Sequence, residues 1–144
     1  MTVLYLAIDP GHEKCGVAWH SDRLWYRTCP LAELFIVLLG IREQSPGVRI
    51  VAIVERTTTK SPRYRSCVSA ANACIAAIRK TWPRRNRIIT VDPRTWQAAM
   101  LKGLPGDTKA QSIARAAIDG VATDDDNVAD AVNMLNYLRS TEGL

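Results

Sequence analysis

Short apolar runs alternate with polar turns along the first third of this chain. Val3 to Ile8 is apolar and runs into Asp9, Pro10 to Lys14 is polar, and Cys15 to Trp19 is apolar again. Ser21 and Asp22 turn the chain, and Leu24 to Cys29 is a third run. Runs of this length bounded by Pro, Gly, Ser and Asp are strands, and the short turns predict an antiparallel three-strand meander. Pro30 starts a helix in which Leu31, Leu34, Phe35, Leu38 and Leu39 recur at helical spacing until Ser45, Pro46 and Gly47 break it. Arg49 to Val54 is nearly all β-branched and apolar, which predicts a strand covered on both faces and parallel to the first.

Beyond a basic, Thr-rich loop from Arg56 to Arg65, the residues Val68, Ala71, Cys74, Ile75, Ile78 and Trp82 mark a second amphipathic helix. Arg87 to Val91 reads as one more strand. Pro93 then opens a helix over Arg94 to Leu101, Asp107 caps another over Thr108 to Ile118, and a last one runs from about Asp126 to Leu138. The order β-β-β-α-β-α-β-α-α-α is that of a mixed α/β layer architecture.

With 144 residues, 47% of them hydrophobic, the chain is long enough for a single core, and no repeat, linker or composition shift divides residues 1–144. A net charge of +5 favours a polyanionic partner, since Lys and Arg gain affinity by displacing counterions from phosphates. The N-terminal residues lack a basic n-region and their apolar run stops at Asp9, so a signal peptide is not expected and a cytoplasmic location is. Leu34 to Leu39, the most apolar stretch, is far shorter than the roughly 20 residues that span a bilayer, so no membrane association is expected. Cys15, Cys29, Cys67 and Cys74 lack the close pairing of a zinc site and read as reduced, mostly buried thiols.

Carboxylates are the feature that points to chemistry. Asp9 and Glu55 end two strands expected to be neighbours, and Asp124, Asp125, Asp126 and Asp130 open the last helix. Hard divalent cations such as magnesium take oxygen ligands from a few carboxylates, with water and substrate phosphate completing the shell. Asp9, Glu55 and Asp130 supply that set, at the carboxyl ends of strands where open α/β sheets bind ligands. Asp126 and Asn127 lie four and three residues before Asp130 and share its helix face, so either is a candidate fourth ligand. Singly, each acid also has a plain reading: a turn carboxylate at Asp9, an ion pair at Glu55, a helix cap at Asp126.

Six segments in order resemble the RuvC-type Holliday junction resolvases. They are Ile8-Asp9-Pro10-Gly11, Cys15-Gly16-Val17-Ala18, Glu55 after its β-run, Asp92-Pro93-Arg94, Lys109 within Gly106-Asp107-Thr108-Lys109-Ala110-Gln111, and Val128-Ala129-Asp130-Ala131. The resemblance implies a ribonuclease H-like fold, with a five-stranded mixed sheet carrying helices on both faces. It further implies a homodimer, two magnesium or manganese ions per site and no nucleotide cofactor, and paired symmetric nicks in four-way DNA junctions. Asp9, Glu55 and Asp130 fall on the family's metal carboxylates and Lys109 on its basic active-site residue. Asn127 departs from the acid or histidine often found three before the last aspartate. The chain is also shorter than the cellular enzymes, as phage-encoded relatives tend to be.

Arg56, Lys60, Arg63 and Arg65 crowd the loop after Glu55 and are expected to hold DNA, with Tyr64 a candidate for stacking on an unpaired base. A second basic group, Arg79, Lys80, Arg84, Arg85 and Arg87, follows the second helix. Two other functions fit parts of the pattern. A Yqgf-type RNA-processing nuclease also opens with an Asp and a Gly-rich strand but lacks the glutamate ending the fourth strand. A non-catalytic junction-binding protein would use its acids only as caps and ion pairs.

Overall fold

The computed structural model describes residues 2–57 and 64–144. Strands β1 (Val3–Asp9), β2 (Cys15–His20) and β3 (Leu24–Cys29) form the antiparallel meander, and β4 (Arg49–Glu55) and β5 (Asn86–Val91) extend it in parallel beyond β1. The sheet order is β3-β2-β1-β4-β5. Helices α1 (Leu34–Gln44) and α2 (Tyr64–Thr81) cover one face, and α3 (Pro93–Met100), α4 (Thr108–Ile118) and α5 (Asp126–Thr141) cover the other. Among the described residues, no helix is long and apolar enough to cross a membrane.

The period of two in the strands divides the core between these layers. Leu4, Leu6 and Ile8 of β1 and Ile50, Ala52 and Val54 of β4 pack with Leu34, Leu38, Ala71, Cys74 and Ile78 of α1 and α2. The intervening Ala7, Val51 and Ile53 pack with Trp96, Met100, Ala116, Val132 and Leu135 of α3, α4 and α5. Both faces of β4 are therefore buried, which is why its sequence is an unbroken apolar run rather than an alternating one. Cys15, Cys29 and Cys74 are buried and Cys67 is exposed, all as free thiols.

Two helix starts differ from the sequence expectation. A 3-10 turn over Leu31–Glu33 precedes α1, so Pro30 caps that turn rather than the helix. Helix α2 begins at Tyr64, within the stretch expected to be a loop. Its first turn carries the exposed Arg65, Ser66 and Cys67, so no apolar periodicity betrays it.

Candidate active site

Strand parity aims two of the acids at the same helix. Asp9 lies two residues beyond Ala7 and Glu55 two beyond Ile53, so both carboxylates project toward the α3–α5 layer. The parallel register pairs Ile8 with Val54, which sets Asp9 and Glu55 side by side where the two strands end. Helix α5 packs across β1 and β2 and brings Asp130 to the same place. Its approach depends on Gly16, the residue paired with Asp9 in the β1–β2 ladder. A Cβ at Gly16 would overlap the Asn127 carbonyl oxygen and stand 2.7 Å from its carbon.

Like charges then act on one another in a partly dry environment. Burial raises the Asp9 carboxyl well above its usual range, and repulsion from Glu55, Asp130 and Asp126 adds to it. Burial likewise pushes Glu55 up to about 7, with Asp130 and Asp92 contributing, against a lowering hydrogen bond from Trp96. Asp130 is pushed up to about 6 by burial and by Asp126, against a lowering hydrogen bond from Ser112. Acids from three separate segments thus share one electrostatic environment.

Three further residues fix these carboxylates. The fully buried Trp96 donates its Nε1–H to Glu55 Oε2 at 2.7 Å. Ser112 donates its hydroxyl to Asp130 Oδ1 at 2.5 Å, while Asn133 Nδ2 donates to the Ser112 hydroxyl and carbonyl oxygens at 3.0 Å. In the sequence, Trp96 reads as a core residue of α3, and nothing in its spacing marks the indole nitrogen as a partner of Glu55. The only signal available for Ser112 and Asn133 is a small polar residue at an apolar position of its helix. Trp96→Phe removes a donor that favours the charged form, so the Glu55 carboxyl rises above about 7. The expected result, measured by following the Glu55 side-chain carboxyl carbon by NMR across pH in the intact protein, is a titration midpoint displaced to higher pH.

The N-terminus of α5 arranges the remaining polar groups. Asp125, not Asp126, is the N-cap, accepting from the Asn127 N–H at 2.9 Å, and it also pairs with Lys14 from the β1–β2 turn. Asp126 is left to face Lys109 Nζ, 4.0 Å away, and its charge is felt by both Asp9 and Asp130. The Asn127 backbone is occupied by the cap and by the close approach to Gly16. Arg56 is exposed just past β4, and Arg65 is exposed on the first turn of α2 beside the half-buried Tyr64. Lys60 and Arg63 lie outside the described residues. The second basic group sits at the far end of α2, about 27 Å along an 18-residue helix. There Lys80 lies over the Phe35 ring and Arg87 pairs with Glu142 at 2.7 Å.

Among the described residues, no three His, Cys, Asp or Glu side chains are gathered into a ready metal-ligand cluster. The donor chemistry nevertheless fits a hard divalent cation. The groups are carboxylate oxygens, mutually repelling and partly desolvated, and a cation among them would relieve the repulsion that raises their pKa values.

No protein-family model and no curated protein matches the chain. Solved structures do. RuvC of T. thermophilus in complex with Holliday junction substrate superposes with a TM-score of 0.67 at 12% identity, covering 98% of this chain and 96% of that one. Another Thermus thermophilus RuvC structure gives a TM-score of 0.61 at 16% identity, covering 97% and 96%. Across nearly its whole length, the chain therefore has the ribonuclease H-like fold of RuvC.

Proposed function

We propose that this protein is a metal-dependent endonuclease that resolves four-way and related branched DNA junctions by paired symmetric nicks. The observation that carries the reading is the convergence of three acids on one face of the sheet, Asp9 and Glu55 side by side at the ends of parallel strands and Asp130 from α5. Each is raised first by burial, and the charge of Asp130 acts on both strand-end acids. The same fold in a RuvC bound to Holliday junction substrate supports the choice of nucleic acid. So does the net charge of +5.

Asp9, Glu55 and Asp130 would hold two magnesium or manganese ions, and Asp126, whose charge acts on both Asp9 and Asp130, would complete the set. When bound, the ions supply activation of water and stabilisation of the leaving oxygen in phosphodiester hydrolysis. The chain's own residues do the positioning. Trp96 and Ser112 fix one oxygen each of Glu55 and Asp130, which leaves the other oxygen of each carboxylate for ligation. Lys109, whose ammonium approaches Asp126, would offset negative charge growing on the phosphate. Arg56, exposed just past the strand that ends in Glu55, and Arg65, exposed on the first turn of α2, would contact backbone phosphates. A homodimer would present two such sites to opposing strands of one junction.

The test is purified protein with a four-way junction, a replication fork and a linear duplex, in magnesium or chelator. Symmetric nicks in the junction that need magnesium support the proposal. Binding without cutting in magnesium would make the chain a junction-binding protein instead. Replacing Arg56 and Arg65 together by Ala is expected to weaken junction binding and flatten its salt dependence, by about 0.9 in log–log slope for each phosphate no longer neutralised. Fluorescence anisotropy at several salt concentrations measures it, and an unchanged slope would remove this pair from the interface.

A further inference from the structure

A concavity lies at the other end of the sheet from the acids. The C-terminal end of α1, the C-terminal end of α2 and the segments leading into β4 and β5 enclose a cavity of about 210 Å³. Its lining includes Val48, Thr81 and Trp82, with Arg42, Arg84 and Arg85. No carboxylate lines it, and among the described residues none of these arginines is in an ion pair. The walls are held by the protein's own hydrogen bonds. Arg42 Nη1 donates to the Thr81 carbonyl at 3.0 Å, Thr81 Oγ1 donates to the Ala77 carbonyl at 2.7 Å, and Asn86 Nδ2 donates to the Trp82 carbonyl. Trp82 is 5% exposed, and its buried indole N–H has no acceptor among the described residues.

A cavity of this volume falls below the roughly 300–1,000 Å³ usual for small-molecule sites. It is the size of a pocket for one large apolar side chain, the kind of anchor around which protein–protein contacts concentrate. The rim chooses the flanking chemistry. Three guanidinium groups without paired acids attract carboxylates, and Arg takes carboxylates in planar, bidentate geometry. Duplex DNA is a poor occupant, because its phosphates have no apolar group to seat between the arginines.

We propose that this pocket docks an acidic peptide segment of a partner protein, with one aromatic side chain seated against Val48 and Trp82 and flanking carboxylates on Arg42, Arg84 and Arg85. The site stands apart from the proposed nuclease centre, since Val48 precedes β4 whereas Glu55 ends it. A partner held here leaves the acids open.

The probe is a fluorescein-labelled, amidated peptide of sequence Asp-Asp-Phe-Asp-Asp, with versions carrying Ala for Phe or Lys for Asp. Binding to the full chain is read by anisotropy and by the Trp82 indole N–H resonance, assigned with Trp82→Phe. The acidic Phe peptide is expected to bind and shift that resonance, and the Ala and Lys versions to bind at least tenfold more weakly. Joint Arg84→Glu and Arg85→Glu substitution is expected to lose at least tenfold in affinity with the other indole resonances in place. Val48→Phe, which fills the cavity without changing charge, is expected to lose as much. An unmoved Trp82 resonance, equal binding by the Ala peptide, or undiminished binding by the charge-reversed protein would overturn the proposal. So would a four-way junction that shifts the Trp82 resonance while the peptide does not.

Discussion

Asp9→Asn is expected to slow cleavage of a four-way junction in magnesium by about 1,000-fold or more while leaving junction binding intact. The same substitution is expected to raise the melting temperature of the metal-free protein. Asp9 is 8% exposed, and burial with three neighbouring acids disfavours its charged form. A neutral amide of the same shape removes that repulsion without opening a cavity, so the metal-free variant is expected to melt above the parent. Gained stability alongside lost cutting separates a functional acid from a structural one, whose removal would lower both. Normal cutting by Asp9→Asn would sink the site.

The same electrostatics fix the sign of a pH effect. Glu55 is raised from 4.5 to about 7 and Asp130 from 3.8 to about 6. A carboxyl whose folded pKa is raised contributes its stability fully below the unfolded pKa and loses it as pH rises through the folded value. In chelator the melting temperature is therefore expected to fall between about pH 4 and pH 7 and to level off above. Divalent cation at pH 8 should restore much of the loss, by favouring the ionised carboxylates. A melting temperature that rises over this interval would contradict the raised carboxyls.

Gly16→Ala is the second large effect. The atoms a methyl would strike belong to the Asn127 peptide in the first turn of α5, and backbone cannot rotate aside as a flexible side chain would. The helix must move off the sheet, taking Asp130 away from Asp9 and Glu55. Overpacking of this kind costs about 1–3 kcal/mol. The loss in cleavage should be larger than that cost alone implies, on the order of 100-fold, because a positional error of about 1 Å at a reacting centre strongly slows the reaction. Thermal melts and single-turnover cleavage measure the two effects separately. A variant that melts lower yet cuts at the parent rate would show that α5 does not position the acids.

Much of this arrangement is legible in the sequence, for physical reasons that differ from element to element. The meander and the parallel β4 are readable because β1, β2 and β4 each bury nearly every side chain, which leaves short apolar runs between turn residues. Asp9 and Glu55 stand out because a carboxylate directly after such a run has no apolar excuse. Asp130 is legible through its neighbours in Val128-Ala129-Asp130-Ala131 rather than through any period. The first turn of α2 is hidden because its exposed side chains carry no periodic signal. The link from Trp96 to Glu55 is hidden for another reason: a buried indole is apolar over most of its surface, and only three-dimensional proximity reveals where its single N–H goes. Asp125 as cap is obscured by three consecutive aspartates, any of which satisfies the preference for a short acceptor before a helix.

Every acid of the proposed nuclease centre comes from the sheet or from the α3–α5 side, whereas α1 and α2 contribute none. The proposed chemistry therefore rests on the sheet and on one of its two coats. Under the proposed function, exposed positions of α1 and α2 are open to redesign around an unchanged set of acids, because the helix that carries Asp130 lies on the other coat.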